Sequence, residues 1–137
     1  MTYWRLHYHL IWATFERQAI LVDENEKMFY GVLYNKAKEL GIKIHSAGNV
    51  DDHAHVVCSI PPKICVADAV RHFKGASSFA INEMNKSEEK FRWQGGYGAL
   101  TISERNLNKV IAYAANQKEH HRENKIVPFY ETIDEEE

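Results

Sequence analysis

Two hydrophobic periodicities follow each other along the first forty residues. Residues 3–14 (YWRLHYHLIWAT) are rich in aromatic and branched side chains and contain neither Gly nor Pro, which predicts a long first strand with apolar positions on both faces. Over residues 23–40 the apolar positions instead recur at helical spacing. Gly41 follows where a helix C-cap glycine is expected, so the sequence predicts a helix that ends there.

The rest of the chain continues the succession of strands and helices. Residues 42–49 and 53–60 predict two short strands joined by an Asp-containing turn, and two prolines stop the second strand. Apolar residues at helical spacing predict a helix over 66–84. A glycine-rich segment then leads into a last strand at 97–102, and a final helix is predicted over 103–121.

The predicted order is strand, helix, strand, strand, helix, strand and one additional helix. This order is typical of an α+β protein with the ferredoxin-like (RRM-like) βαββαβ topology, an antiparallel sheet and an additional C-terminal helix. In that topology the first and third strands are the central pair. The strand at 53–60 is therefore expected in the middle of the sheet.

Length and composition fit one compact domain. The chain has 137 residues, of which 45% are hydrophobic and 26% charged, and this excludes the collagen-like, disordered and disulfide-scaffold classes. The formal net charge is −2, but five of the 19 acidic residues lie in the last seven positions, so residues 1–130 carry 17 basic and 14 acidic groups, a net +3. We predict a single domain over 1–130 and an acidic, disordered tail over 131–137.

The hydrophobic stretches are too short to span a bilayer. No run of 18 apolar residues occurs, which argues against a membrane-spanning segment. Cys58 and Cys65 are the two cysteines, and no secretory signal precedes the first predicted strand. These features predict a cytoplasmic protein in a reducing compartment.

The segment DDHAHVVCSIP contains two histidines at strand spacing. His53 and His55 are two residues apart, so their imidazoles point to the same face of the sheet, while Ala54 points to the other face. Two converging nitrogen ligands are what a divalent metal needs. The simpler alternative is a pair of partly exposed polar residues without a ligand. A histidine-triad hydrolase is a weaker alternative, because that motif needs a third alternating His and position 57 is Val.

A second candidate pair lies on the last predicted helix. Tyr113 and Gln117 are four residues apart, which places both side chains on one helix face, one turn apart. Taken alone, a Tyr and a Gln at this spacing are more often surface or interface residues, so the pair needs independent support.

Three segments together supply that support: HAHVV at 53–57, WQGGYGA at 93–99 and VIAYAANQKEHH at 110–121. With them the chain resembles the single-tyrosine HUH transposases of insertion-sequence type, the IS200-like and REP-associated group, over almost its whole length. The family motif has a bulky hydrophobe between its two histidines. Ala54 departs from that pattern, on the side that faces the core.

The resemblance implies a function and the residues that carry it. Members of the family cut single-stranded DNA at hairpin-bearing ends, as homodimers, with a divalent metal ion. Carried over by position, His53, His55 and Gln117 bind Mg²⁺ or Mn²⁺, and Tyr113 is the nucleophile that forms a 5′-phosphotyrosine. Holding a tyrosine as phenolate at pH 7 costs roughly 4 kcal/mol, since its pKa is near 10, and a metal on the scissile phosphate would assist the attack.

Two further expectations concern partners. No nucleotide cofactor is expected, because the phosphotyrosine retains the energy of the cut bond, and the chain has no GxxxxGK phosphate-binding loop. The homodimer follows from the resemblance, with some support from the apolar residues on both faces of the first strand.

Four residues are candidates for DNA contacts. Arg71 and Lys74, in VRHFKGASS, resemble the family's basic segment and are expected to meet phosphates, with an ordinary solvated helix face as an equal alternative. Trp93 and Tyr97 are candidates for stacking on unpaired bases, although we expect at least one of them in the core. The paired histidines at 120–121 match a position that the family also occupies with histidines, and no role is assigned to them.

A function of another class is the alternative to the enzyme. The same sheet suits a non-catalytic, single-stranded RNA- or DNA-binding module. Such a module has no use for Tyr113 one turn from Gln117, nor for a histidine pair on one face of a central strand, so these residues favour the enzyme. A domesticated relative of the transposase would share its chemistry and differ in biological role.

Overall fold

The computed structural model describes residues 2–86 and 88–133, which form a four-stranded sheet with helices on both faces. The strands are β1 (His7–Ala13), β2 (Lys43–Asn49), β3 (His53–Ser59) and β4 (Gly98–Ile102). The helices are α1 (Asp23–Leu40), α2 (Val66–Asn85), α3 (Leu107–Ala115) and α4 (Gln117–Arg122). Short 3₁₀ turns lie at Phe15–Arg17, Glu104–Asn106 and Pro128–Glu131. Within this described part, no helix combines the length and the apolar character that crossing a bilayer requires.

The sheet order is β2-β3-β1-β4, and each neighbouring pair is antiparallel. This is the order of the predicted ferredoxin-like topology, and the prediction that β1 and β3 form the central pair is confirmed. In the register between these two strands, Ile11 lies opposite His55 and Ala13 lies opposite His53. The two histidines therefore lie inside the sheet rather than at its edge.

Side chains of β3 alternate between two apolar clusters. Ala54, Val56 and Cys58 are buried in the main core beneath α1 and α2, as their alternation predicts. On the opposite face, Val57 packs against Val110 of α3 in a smaller cluster. The helix α3 therefore covers the face that carries the histidines.

The central position of β1 explains its two-sided apolar pattern. Leu10 and Trp12 are buried on one face and Ile11 on the other, all by other parts of the same chain. This pattern therefore gives no support to a homodimer, contrary to our expectation from the sequence.

The strand β1 is shorter than predicted, beginning at His7 rather than within residues 3–6. The carbonyl of Leu6 still accepts the N–H of Ile60 at 3.1 Å. The two residues that follow Ile60 are prolines, which have no N–H to donate. The ladder between the two central strands ends there for that reason.

The single helix predicted over 103–121 is divided at Asn116 into α3 and α4. The N–H of Asn116 is shared between the carbonyls of Ala112 (3.2 Å) and Tyr113 (3.3 Å), and its side-chain amide also donates to Ala112. Such side-chain bonding to the backbone competes with regular helix, and here ψ rises to 32°. Gln117 therefore begins α4 and does not share the helix of Tyr113, which corrects the prediction.

Candidate metal and tyrosine site

Two imidazoles of β3 point at one carboxylate oxygen. His53 and His55 lie on the same face, as predicted, and are 4% and 0% exposed. The Nε2 atoms of both rings lie 3.0 Å from Oε1 of Glu131. The sequence-predicted pair is thus brought together with a third group that can bind a cation.

The other nitrogen of each ring is held by a neighbouring side chain. Nδ1 of His53 lies 2.8 Å from Oδ1 of Asp52, and Nδ1 of His55 lies 2.7 Å from Nε2 of His9. Each ring nitrogen of His53 faces a carboxylate, and a carboxylate only accepts. A neutral ring has one hydrogen, and with that hydrogen on Nδ1, toward Asp52, the lone pair of Nε2 is available to a cation. A hydrogen that His55 donates to His9 has the same effect on His55. Proteins orient metal-binding histidines in this way.

The sequence analysis missed both of these supporting residues. Asp52 was predicted only as part of a turn, and His9 was assigned no role. The HYH pattern at residues 7–9 repeats the alternation of HAH and is the signal that indicates a second inward-facing histidine. Burial lowers the pKa of His9 to about 3, with the neighbouring His55 acting in the same direction, and burial lowers the pKa of His55 as well. Both rings are therefore uncharged at neutral pH, as metal binding requires.

Tyr113 reaches the same carboxylate from α3. Its side chain is buried, its phenol O–H donates to Oε2 of Glu131, and its oxygen accepts the N–H of Val127 at 2.9 Å. The ring of His120 stacks on it, with 4.6 Å between centroids. Burial raises the pKa of Tyr113 to about 12, and the hydrogen bond to Glu131 acts in the same direction. The phenol is therefore protonated at neutral pH in this arrangement.

Gln117 has a buried amide oxygen without a partner. Its Nε2 donates to the carbonyl of Tyr113 at 3.0 Å, and its side chain is 1% exposed. Within the part of the chain that the structure describes, Oε1 has no hydrogen-bond partner. An unpaired buried oxygen costs about 1–3 kcal/mol, and a cation would remove that cost.

The close approach of α3 to β2 depends on Gly48. A Cβ at this position would lie 1.8 Å from the carbonyl oxygen of Ala114, so only glycine fits. One turn earlier, the hydroxyl of Ser46 donates to the carbonyl of Ile111 at 2.8 Å. These contacts hold α3 against the sheet and thereby position Tyr113.

The carboxylate at the centre belongs to a residue that we assigned to the acidic tail. Glu131 instead ends the turn Pro128–Glu131, and its side chain is 13% exposed. Next to it, the ring of Tyr130 packs 5.0 Å from that of Tyr113. Residues 134–137 of the predicted tail lie outside the described residues. No local pattern around Glu131 indicated this contact.

His121 adds a third imidazole to the same group. Its Nε2 lies 3.4 Å from Oε1 of Glu131, without the geometry of a hydrogen bond, and its ring centroid lies 5.0 Å from that of His53. The two neighbouring histidines therefore make different contacts: His120 stacks on Tyr113, and His121 faces the carboxylate of Glu131.

The donor set fits a divalent metal ion. One atom each from His53, His55 and Glu131 can be chosen so that all lie within 4.8 Å of one another. Burial alone would raise the pKa of Glu131, but its hydrogen bonds with His53 and His55 outweigh burial and hold that pKa well below the usual range. Imidazole nitrogens combined with carboxylate and amide oxygens suit Mn²⁺ or Mg²⁺. Gln117, the third metal ligand that the resemblance implies, has its amide oxygen unpaired among the described residues.

The four predicted DNA-contact residues line one cavity of about 580 Å³, between α2 and the segment 91–97. They are Arg71, Lys74, Trp93 and Tyr97. None of the metal-site residues is among the described residues that line this cavity, so the structure brings the four together but apart from the histidine pair.

These four residues differ in their hydrogen bonds and in their exposure. Lys74 donates to the carbonyls of Gln94 (2.6 Å) and Gly96 (3.1 Å), and burial lowers its pKa. Trp93 donates to Ser77 at 3.0 Å and packs against the main core, which fits the expectation that at least one aromatic residue is core. Arg71, by contrast, is exposed.

Comparison with known proteins gives relatives of one kind. The ISDra2 transposase TnpA of Deinococcus radiodurans is 28% identical over 119 residues, which cover 83% of this chain and 85% of that protein. The transposase of insertion sequence element IS200 from Salmonella typhimurium is 28% identical over 123 residues, covering 86% of this chain and 80% of that protein.

Solved structures agree with these relatives. A crystal structure from Deinococcus radiodurans R1, assigned as a transposase, has a TM-score of 0.68 at 27% identity and covers 91% of this chain and 95% of its own. A REP-associated tyrosine transposase bound to a REP hairpin has a TM-score of 0.65 at 11% identity, covers 92% of this chain and 76% of its own, and shows the shared fold. The model of the IS200-like transposase family matches residues 2–117, which include the histidine pair, Tyr113 and Gln117. This chain therefore belongs to the IS200-like transposase family.

Proposed function

We propose that this transposase cuts and rejoins single-stranded DNA with Tyr113 as nucleophile and with Mg²⁺ or Mn²⁺ held by His53, His55 and Gln117. One observation carries the proposal: the carboxylate of Glu131 contacts the phenol through Oε2 and both imidazoles through Oε1. Nucleophile and metal ligands are thus separated by the width of one carboxylate. A single phosphate group can bridge that separation.

The first chemical step forms one bond and breaks another. The phenol oxygen of Tyr113 attacks the phosphorus of a DNA phosphodiester, and the bond from phosphorus to the 3′-oxygen breaks. The phenol proton, which Glu131 accepts before DNA binds, is released to solvent, and the 3′-oxygen takes up a proton from solvent. The products are a 5′-phosphotyrosine and a free 3′-hydroxyl.

Rejoining reverses this step on another strand. A 3′-hydroxyl attacks the phosphotyrosine, a new phosphodiester forms, and Tyr113 regains its proton. Because the energy of the original bond is kept in the phosphotyrosine, the reaction needs no nucleotide cofactor.

A bound divalent cation supplies charge neutralisation at the phosphate oxygens and stabilisation of the leaving 3′-oxygen. Asp52 and His9 orient the two imidazoles toward it through their Nδ1 atoms, and Gln117 contributes its amide oxygen. We include Glu131 as a further oxygen ligand in the protein without DNA, since its Oε1 faces both imidazoles. In the complex with DNA, the scissile phosphate would lie where this carboxylate lies in the protein without DNA.

The substrate and partner proposals draw on the relatives. One structural relative was solved with a REP hairpin, and we propose hairpin-bearing single-stranded DNA as the substrate here. Arg71 is the cation of this cavity that we propose for phosphate contact, because its side chain is 71% exposed and its partner at 3.0 Å, Asp68, is an exposed residue of the same helix. The homodimer is proposed from the family resemblance, and a cytoplasmic location from the free thiols of Cys58 and Cys65.

The test is a search for the covalent adduct. The protein is incubated with labelled single-stranded oligonucleotides that carry hairpins, in Mg²⁺, in Mn²⁺ or in EDTA, and the products are resolved by denaturing gels and peptide mass analysis. We expect a metal-dependent adduct at Tyr113 with a free 3′-hydroxyl on the released strand.

Two matched variants make the result specific. Tyr113→Phe removes the nucleophile and should abolish the adduct. Tyr130→Phe removes a hydroxyl from the ring that packs 5.0 Å from Tyr113 and should leave the adduct intact. Hairpin binding without any adduct in either metal would instead support the non-catalytic binding module.

A further inference from the structure

A second cavity lies at the other end of the histidine face. It has a volume of about 650 Å³, and its walls come from the N-terminal segment 2–5, the beginning of β2, the end of β3 and the turn Glu104–Asn106. Ser59 at its floor follows His55 by four residues on the same face of β3, which places it about 13 Å away. This cavity is separate from both sites described above.

The outer wall combines an aromatic ring with positive charge. Tyr3 is 80% exposed, and the guanidinium of Arg5 lies 4.5 Å from its ring centroid. Trp4 is a second aromatic residue of the wall, and Lys43 is an exposed cation at the start of β2. Aromatic rings stack on bases and cations contact phosphates, so the chemistry of this wall suits a single nucleic-acid strand.

The floor is a chain of hydrogen bonds that ends in an exposed carboxylate. Ser59 Oγ lies 2.6 Å from both His7 Nδ1 and His45 Nε2. Nε2 of His7 lies 2.5 Å from Oε2 of Glu104 and donates to it, because a carboxylate only accepts. The side chain of Glu104 is 63% exposed, which leaves acceptor capacity toward the cavity.

A carboxylate beside stacking rings favours bases with amino groups. Glu accepts a hydrogen bond from an exocyclic amine such as N4 of cytosine, whereas thymine offers a carbonyl at that position. The negative charge of Glu104 is offset by Arg5, whose Nε lies 3.7 Å from Oε1, and Lys43 adds a second cation to the same cavity. The cavity can therefore hold a base without repelling its phosphates.

We propose that this cavity binds an unpaired nucleotide whose base carries an exocyclic amine, with Tyr3 stacking on the base, Glu104 accepting from the amine, and Arg5 and Lys43 contacting phosphates. The inference rests on the proposed function, in that single-stranded DNA is the substrate, and it adds a base-selective subsite. The helix α3 runs between the two sites, with Leu107 beside this cavity and Tyr113 at the metal site. A path of about 13 Å corresponds to about four stacked nucleotides of one strand.

The test measures binding without cleavage. Fluorescein-labelled dC10 and dT10 are titrated with the full chain in EDTA, and anisotropy gives both dissociation constants. We expect the wild type to bind dC10 about three- to tenfold more tightly than dT10. Glu104→Ala should abolish that ratio without weakening dT10 binding, because the variant loses an acceptor and a negative charge together.

The stacking residue is tested separately. Tyr3→Ala should weaken binding of both oligonucleotides about five- to tenfold or more. Tyr34→Ala, which removes a tyrosine that is 48% exposed on α1, and Glu83→Ala, which removes an exposed carboxylate on α2, serve as matched controls and should change neither constant. All four positions are exposed, so the variants are expected to fold.

The outcomes separate this inference from the proposed function. Equal binding of dC10 and dT10 by the wild type, or an unchanged ratio in Glu104→Ala, overturns the subsite even if the Tyr113 adduct forms. A preference for dC10 that Glu104→Ala removes supports the subsite even if no adduct forms, in which case only the proposed cleavage fails.

Discussion

Replacing Gly48 by alanine tests how the nucleophile is positioned. The added Cβ would lie 1.8 Å from the carbonyl oxygen and 2.9 Å from the carbonyl carbon of Ala114, and both are backbone atoms that cannot rotate away. Restoring ordinary contact near 3.4 Å requires the end of α3 to move by about 1.6 Å relative to β2. Overpacking of this kind costs about 1–3 kcal/mol of unfolding free energy. A displacement of about 1 Å at a reacting group can reduce the rate about 100-fold.

We therefore expect Gly48→Ala to lower both stability and adduct formation. At about 3–5 °C per kcal/mol, the thermal midpoint should fall by about 3–15 °C. Single-turnover adduct formation, measured with saturating Mn²⁺ at a temperature where the variant is fully folded, should fall by about 100-fold. Circular dichroism melting and denaturing gels give the two readouts.

The matched control is Gly31→Ala in the middle of α1. A Cβ at Gly31 meets no atom within 4 Å in the part of the chain that the structure describes, and alanine in a helix interior stabilises by about 0.5–1 kcal/mol relative to glycine. Ser46→Ala gives a milder perturbation of the same contact, because it removes only the hydrogen bond to Ile111. If Gly48→Ala forms the adduct at the wild-type rate with an unchanged midpoint, the contact between α3 and β2 does not position Tyr113.

The remaining predictions concern the surroundings of the metal site. His9→Phe should weaken Mn²⁺ binding, measured by calorimetry, about 10- to 100-fold, because Nδ1 of His55 loses its partner. His9→Gln offers an amide oxygen in its place and should retain most of the affinity. Equal Mn²⁺ affinities in the two variants would refute the role of His9 in orienting His55. Glu131→Gln should weaken Mn²⁺ binding in the absence of DNA but leave adduct formation at saturating metal undiminished, and a loss of adduct would show that the carboxylate stays engaged during the reaction. Gly98→Ala places a Cβ 2.1 Å from the carbonyl oxygen of Thr132 and should increase the rate at which a protease cuts the C-terminal segment. An unchanged rate of proteolysis would contradict the packing of that segment on β4.

Features set by local chemistry were predictable from the sequence. The helix α1 begins at Asp23 and ends at Leu40, and Gly41 follows as its C-cap with φ of 73°, as the periodicity and the capping glycine predict. The alternation of side chains along β3 predicted His53 and His55 on one face and Ala54 in the core, and the structure has them there. Each of these follows from neighbours within one turn of helix or two residues of strand.

Features that depend on contacts distant in sequence were not predictable. Glu131 meets His55 although the two are 76 positions apart in the sequence, and its place follows from the path of the chain after α4 rather than from its neighbours. His9 meets His55 because of the register between β1 and β3. The break at Asn116 is local, but it arises from a side-chain hydrogen bond to Ala112 that the helical pattern of VIAYAANQKEHH conceals.

The position of Glu131 has a consequence for how substitutions can affect this site. The family match ends at residue 117, so the histidine pair, Tyr113 and Gln117 all lie inside the matched range. The carboxylate that contacts the two histidines and the tyrosine belongs to Glu131, fourteen residues beyond that range. Substitutions in that later segment can therefore alter the contacts of His53, His55 and Tyr113 without changing a residue inside the matched range. The contacts around the histidine pair thus depend on two segments of the chain, and the C-terminal one can be varied by mutation independently of the other.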